Sequence, residues 1–257
     1  MRASAVQAVR VVFWNIRAGG GRRAVWIADQ IAAWAPDVLG LCEFRGTEAS
    51  QQLAQTLAAQ GLSFQQQSTD PQNLAVNACL LASRTPLKPI SLRRNPPERA
   101  RWIMARIEHG PAVGILHAPN FVTKRKRPFF NSVSDFAGRW RDGPALFGGD
   151  TNCGVPPIDG NPNAFHDWEV EWIPELARIG WADIYRHQNP STRWPTWYSP
   201  NAGNGYRLDQ AFVNRSLLPA MRPAHHAWGT HPDAPRTRHA LSDHAALIVD
   251  FDWPRPS

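Results

Sequence analysis

The stretch RHALSDHAALIVDF (238–251) joins two unlike halves. From Ala245 onward it is an apolar run of the kind that forms a buried strand. Directly before that run stand Ser242, Asp243 and His244. Ser and Asp favour turns and strand ends because they bond their own backbone, so the tripeptide alone reads as a turn. The rest of the chain repeats the arrangement too often for that reading to suffice.

Working outward, five more apolar segments carry polar groups at or beside their ends. The strand candidate VRVVFWNIR (9–17) holds Asn15, and PDVLGLCEF (36–44) ends at Glu43. AVGILHAPN (112–120) ends in His117 and Asn120, and PALFGGDTN (144–152) in Asp150 and Asn152. YRLDQAFVN (206–214) has Asp209 inside an apolar strand, which is unfavourable unless the charge is paired. Each residue alone has a structural account as a cap, a turn former or an ion-pair partner. Six segments together point to a shared site.

Between these segments the spacing predicts helices over Ala24–Trp34, over TEASQQLAQTLAAQG (47–61) with Thr47 as N-cap, and over Phe130–Arg141. EWIPELARIGWADIYR (171–186) reads as mostly helical. AVNACLLAS (75–83) and ARWIMARIEH (100–109) read as strands, and PTWYS (195–199) as the partner of YRLDQAFVN around the PNAGNG turn. Many strands with fewer helices favour an α+β architecture in which two sheets pack on each other and helices cover the outside. No short repeat, low-complexity tract or linker divides the chain, so a single domain over residues 1–257 is expected.

With 257 residues and 43% hydrophobic content, the chain can bury one large core. It lacks an apolar run long enough to span a membrane, so no stable membrane association is expected. The start does not read as a signal peptide, which makes a cytoplasmic location the expectation. Cys42, Cys79 and Cys153 match no zinc or redox spacing and read as reduced, partly buried thiols. The formal net charge is +7, and its distribution is uneven. Residues 84–142 hold 13 Lys or Arg against 4 Asp or Glu. Such a region suits a polyanionic partner such as nucleic acid, although an Arg-rich solvated face has the same composition.

Carboxylate and amide oxygens without Cys ligands suit a hard cation, Mg²⁺ or Mn²⁺, which neutralises phosphate oxygens during in-line displacement. Histidines beside carboxylates suit proton transfer or stabilisation of developing charge. The chain has no Gly-x-Ser-x-Gly elbow, no Walker-type Gly-Lys-Ser/Thr and no His-Glu-x-x-His. Metal-assisted phosphoester hydrolysis is the chemistry the residues favour.

The ordered set FWNIR (13–17), PDVLGLCE (36–43), ILHAPN (115–120), FGGDTN (147–152), RLDQAFVN (207–214) and LSDHAAL (241–247) resembles the endonuclease/exonuclease/phosphatase superfamily of deoxyribonuclease I-like hydrolases. The resemblance implies a four-layer α/β/β/α sandwich with the site at one edge of the two packed mixed sheets. It implies Glu43 as principal metal ligand, with Asn15 and Asp243 close to the ion. Asp150 and Asn152 would orient or deprotonate the attacking water, and His244, oriented by Asp209, would serve as base or phosphate-stabilising imidazole. His117 would protonate the leaving oxygen or hold the phosphate. Abasic-site endonucleases usually carry Tyr at that position, so His117 argues against a dedicated abasic-site enzyme.

For substrate contacts, Asn120 and Trp197 are expected at the pocket wall, and Trp14 in the core. Lys124, Arg125, Lys126 and Arg127 are expected on flanking phosphates, and Arg99 or Arg101 on the phosphate side. Arg207 is expected to pair with Asp209, and Cys153 to be inert packing. The leading expectation is a monomeric, Mg²⁺-dependent nuclease acting on DNA, with RNA as a further substrate class. The alternative is a phosphodiesterase or phosphatase for a small phosphorylated metabolite or lipid head group. A catalytically silent nucleic-acid-binding module would have no need for the whole polar set.

Overall fold

The computed structural model describes residues 6–92, 98–235 and 237–254, so Arg93, Arg94 and Arg236 lie outside the described residues. One six-stranded sheet has the order β13-β14-β1-β2-β4-β3. Its strands are β1 (Val6–Asn15), β2 (Val38–Phe44), β3 (Phe64–Gln67), β4 (Ala78–Ser83), β13 (His225–Ala227) and β14 (Ala246–Pro254). The second sheet has the order β5-β6-β7-β8-β12-β9. It is built from β5 (Leu87–Pro89), β6 (Trp102–Ile107), β7 (Ala112–His117), β8 (Ala145–Asp150), β9 (Trp181–Asp183) and β12 (Asp209–Asn214). A separate ribbon pairs β10 (Trp197–Tyr198) with β11 (Gly205–Tyr206). The helices are α1 (Ala24–Trp34), α2 (Glu48–Ala59), α3 (Lys126–Arg139), α4 (Asp167–Val170), α5 (Trp172–Arg178) and α6 (Ile184–Gln188). None is long and apolar enough to cross a membrane among the described residues.

Alternation along the strands sets the layers. On β1, Val9, Val11 and Phe13 enter a core shared with Val113 and Ile115 of β7 and Leu146 of β8. Val12 and Trp14 face the other way, with Ile27 and Ile31 of α1 and Leu53 of α2. On the second sheet Met104, Leu116, Phe147 and Phe212 pack outward against Phe129, Phe130, Trp172 and Leu176. Three cores between four layers make the expected α/β/β/α sandwich. Strands with packing on both faces read as continuous apolar runs, which is why they were visible in the sequence.

Several elements differ from the sequence reading. Helix α3 begins at Lys126, four residues before Phe130, because Pro128 falls in its first turn, where no backbone donor is needed. The 171–186 segment contains the edge strand β9 between α5 and α6. PTWYS pairs with Gly205–Tyr206, whereas Asp209–Asn214 is a separate strand of the second six-stranded sheet. Strands β3, β5 and β13 carry polar or mixed sequences and were not anticipated.

The parallel pairs β1–β2 and β7–β8 put Asn15 beside Cys42 and His117 beside Asp150. Antiparallel β12 puts Asp209 opposite Asp150. Gly149, directly before Asp150, lets this edge close: its φ is +134°, and a Cβ there would stand 2.1 Å from the Leu116 carbonyl oxygen. Gly149→Ala should therefore cost more than about 2 kcal/mol from backbone strain and overlap. Urea unfolding measures this, and an unchanged midpoint would remove the constraint.

Candidate active site

The first and second sheets meet at one edge, where the carboxylates collect. Glu43 sits at a register shift between Cys42 and Phe44, with φ of +56°. A bulge of this kind re-aims a side chain, and a left-handed non-glycine residue marks strain held by its surroundings. Here it turns Glu43 to the edge, where Oε2 accepts a hydrogen bond from the Ala18 N–H at 2.7 Å. The Asn15 amide Nδ2 donates to Glu43 Oε1 at 3.3 Å and to Asp150 Oδ2 at 2.9 Å. Its Oδ1 accepts from the Arg17 N–H at 2.9 Å. Asn15 thus tethers two carboxylates side by side, turning its amide donor to them.

Asp150 is only 2% exposed. Its Oδ1 accepts from the Asn152 N–H at 2.8 Å. Burial raises its pKa to about 6, helped by Asp209, while His244 and the bonds from Asn152 and Asn15 hold it back. A carboxylate poised near neutrality suits proton transfer at physiological pH. Asn152 adopts φ of +49° and donates Nδ2 to the Ala118 carbonyl at 2.9 Å, so its amide braces the loop after β7.

Asp209 and His244 form a buried pair, with Nδ1 2.9 Å from Oδ2. Burial alone would depress the imidazole. The Asp209 and Asp150 carboxylates outweigh it and raise the His244 pKa to about 10. His244 Nε2 then points at Asp150 Oδ2 from 3.8 Å. The Ser242 hydroxyl donates to the Asn15 carbonyl at 2.5 Å and accepts from the His244 N–H at 3.2 Å. The tripeptide 242–244 is therefore both a turn and part of the site. Trp14 lies in the core, as expected, and its indole N–H donates to the His244 carbonyl at 3.0 Å.

A cleft of about 520 Å³ opens over these groups, with Glu43, His117, Asp150, Asn152, Asp243 and His244 in its lining. Arg101, Asn120 and Trp197 also line it. The Trp197 indole N–H donates to Asp243 Oδ2 at 3.4 Å, so the ring supports a carboxylate as well as forming a wall. Asn77, Phe165, Ser199 and Tyr206 were missed. Asn77 was readable: β4 runs antiparallel to β2, so a polar residue at its start lies near the edge where β2 ends. The contributions of Phe165 and Tyr206 depend on loop packing that no local pattern encodes.

The basic residues do not act as one surface. Lys126 is 2% exposed and bonds Glu169 and the Asn152 carbonyl, so it braces the site from behind and cannot reach a flanking phosphate. Arg125 pairs with Glu98 at 2.5 Å, and Arg101 bonds both Glu98 and His117. Lys124, Arg127 and Arg99 are exposed, with the Arg127 guanidinium 5.7 Å from the Trp168 ring centre. Arg207 does not pair with Asp209. It is 1% exposed and grips Asp159 through two bonds, with a third to Asp183 at 2.6 Å. Cys153 is inert packing, its thiol donating to the Glu169 carbonyl at 3.1 Å.

Two acidic clusters could hold a divalent ion. Asp150, Asp209 and His244 bring ligand atoms within 4.8 Å of one another. An ion there would compete with the His244–Asp209 hydrogen bond. At the other cluster, Glu43 and Asp243 both line the cleft and are partly exposed; among the described residues Asp243 Oδ1 and, in the first cluster, Asp209 Oδ1 are each buried without a hydrogen-bond partner. Two partly exposed carboxylates that leave the His244–Asp209 bond intact and offer only oxygen donors fit a hard cation better.

The two packed sheets with their outer helices form a deoxyribonuclease I-like fold. Residues 12–244 match the model of the Endonuclease/Exonuclease/phosphatase family, and the chain belongs to that family of phosphoric ester hydrolases. No curated protein matches it in sequence. Its fold is similar to that of a 3'-5' exonuclease from Neisseria meningitidis, with TM-score 0.77, 20% identity, and coverage of 95% of this chain and 100% of that one. It is also similar to a 3' phosphatase from Neisseria bound to product DNA hairpin, with TM-score 0.78, 21% identity, and coverage of 95% and 100%. An AP endonuclease from Archaeoglobus fulgidus matches with TM-score 0.80, 20% identity, and coverage of 95% and 99%.

Behind the site, buried His226 bonds the Asp209 carbonyl through Nε2 at 3.1 Å. Burial, reinforced by Arg207, lowers its pKa to about 3. The unfolded chain takes up this proton near pH 6.5 and the folded chain does not, so stability falls as pH drops from about 6.5 towards 3. His226→Phe should flatten that acid limb by up to about 1.4 kcal/mol per pH unit in urea unfolding between pH 7 and 5. An equally steep limb in the variant would assign the loss to other groups.

Proposed function

We propose that this protein is a divalent-metal-dependent nuclease that hydrolyses phosphodiester bonds in DNA, with RNA as a further substrate class. The observation that carries the reading is that Asp150, with its pKa raised to about 6, shares one cleft lining with His244, held from behind by Asp209, and with the Glu43 and Asp243 carboxylates. Glu43 and Asp243 would hold Mg²⁺ or Mn²⁺. When bound, the ion supplies positive charge to the phosphate oxygens.

Asp150, with its Oδ1 fixed by Asn152, accepts the proton of the attacking water as the water oxygen bonds to phosphorus and the bond to the leaving ester oxygen breaks, that oxygen taking up a proton from solvent. His244, kept cationic by Asp209, stabilises the charge that develops on the phosphorane. His117 and Asn120 contact the phosphate, and Trp197 packs against sugar or base. Exposed Lys124, Arg127 and Arg99 meet flanking phosphates. DNA as substrate is supported by those exposed cations and by the product DNA hairpin named for the Neisseria phosphatase. The chain works as one domain, a reading supported by the pairing of β1 with β14 in one sheet, and we take it to act as a monomer. We place it in the cytoplasm.

The test is nicking of supercoiled plasmid with Mg²⁺ or Mn²⁺, alongside EDTA controls. Asp150→Ala and Glu43→Gln should each lower turnover about 10³-fold or more while preserving the fold by circular dichroism. Full activity in either variant sinks this assignment of roles. Absence of nicking, with Asp150-dependent hydrolysis of a small phosphodiester, transfers the same chemistry to a phosphorylated metabolite or lipid head group.

A further inference from the structure

Two imidazoles flank Asp150, and their outer nitrogens are held by opposite partners. His244 Nδ1 meets the Asp209 carboxylate. His117 Nδ1 meets the Arg101 guanidinium at 3.0 Å. A guanidinium only donates hydrogen bonds, so His117 Nδ1 must accept and carries no proton. The ring proton then sits on Nε2. That nitrogen lies 3.7 Å from Asp150 Oδ2, beyond a hydrogen bond, in the lining of the cleft.

Arg101 is itself held in place. Its Nε donates to Glu98 Oε2 at 3.2 Å, and Glu98 Oε1 accepts from Arg125. Arg101 and Glu98 side chains are 17% and 15% exposed, so the contact is largely shielded from water. A protonated His117 would set two donors and two positive charges against each other across that contact. Burial, the Arg101 charge and nearby His244 together hold the His117 pKa well below the usual histidine value.

Resting on the active-site reading above, we propose that Arg101 is a positioning residue that locks His117 as its neutral Nε2–H tautomer. His117 then enters the reaction as a fixed, uncharged hydrogen-bond donor to a phosphate oxygen, while His244 alone carries positive charge. This assigns Arg101 a role other than direct phosphate contact. It also removes His117 as the proton source for the leaving oxygen, since a ring without the second proton has none to give at low cost. The arrangement makes the imidazole behave as a neutral hydroxyl donor would.

The experiment is a long-range proton–nitrogen correlation of the histidine rings in ¹⁵N-labelled full-length protein at pH 7, with and without Mg²⁺. His117→Asn assigns the signals by loss. The proposal predicts an unprotonated Nδ1 and a protonated Nε2 for His117. A protonated Nδ1, or the averaged signals of both tautomers, overturns it. Arg101→Met should release the ring into a tautomer mixture and lower kcat by about 10–100-fold, with KM changing less. Arg101→Lys, also a pure donor, should keep the Nε2–H tautomer and part of kcat. An unchanged His117 spectrum in folded Arg101→Met overturns the lock. The spectra need no substrate, so a locked ring in a protein that leaves plasmid uncut supports the tautomer assignment and overturns only the nuclease reading.

Discussion

The rest of the site is arranged around one cost: Asp150 holds a carboxylate at 2% exposure. Burying an unpaired charge is expensive, and a carboxylate so placed would ordinarily take up a proton. The structure offsets this with two hydrogen bonds and one long ion pair, to His244 at 3.8 Å. Asn15 and the Asn152 backbone each donate a hydrogen bond, and His244 approaches with its charge fixed by Asp209. The balance leaves Asp150 near neutrality, where a small change in its surroundings decides its protonation.

That balance depends on placement, and placement depends on a second layer of buried charge. Arg207, immediately before Leu208 and Asp209, ties the 155–160 loop and β9 together through Asp159 and Asp183. Arg186 adds a further bond to Asp159. On the other flank, Lys126 at the start of α3 donates both to the Asn152 carbonyl and to Glu169 of α4. Breaking a buried pair by removing one partner leaves an uncompensated charge, so these networks constrain geometry more firmly than they add stability. They hold β8 and β12, and through them Asp150 and Asp209, in fixed register.

The two-sheet sandwich and the polar residues at its edge were legible because both have local signatures. Strands β1, β2, β4, β7, β8, β12 and β14 are packed on both faces and appear as apolar runs. Polar residues at their ends stand out against that background. Edge strands β3, β5, β9 and β13 have one neighbour and no such signature. The basic cluster was misread for a related reason. Composition shows that Lys126 is cationic, but only the fold shows Glu169 beside it. The Arg101–His117 contact and the Arg207–Asp159 pair are equally invisible, since each joins residues whose partnership is set by tertiary packing.

The central claim is that the divalent ion is held by Glu43 and Asp243, leaving Asp150 and the Asp209–His244 pair free for proton and charge handling. Titration of Mn²⁺ into the protein, followed by electron paramagnetic resonance, tests this directly in the wild type, Glu43→Gln and Asp209→Asn. The account predicts one tight site, weakened at least tenfold by Glu43→Gln and retained in Asp209→Asn. Loss of the ion in Asp209→Asn with full binding in Glu43→Gln would place it among Asp150, Asp209 and His244 and contradict the account.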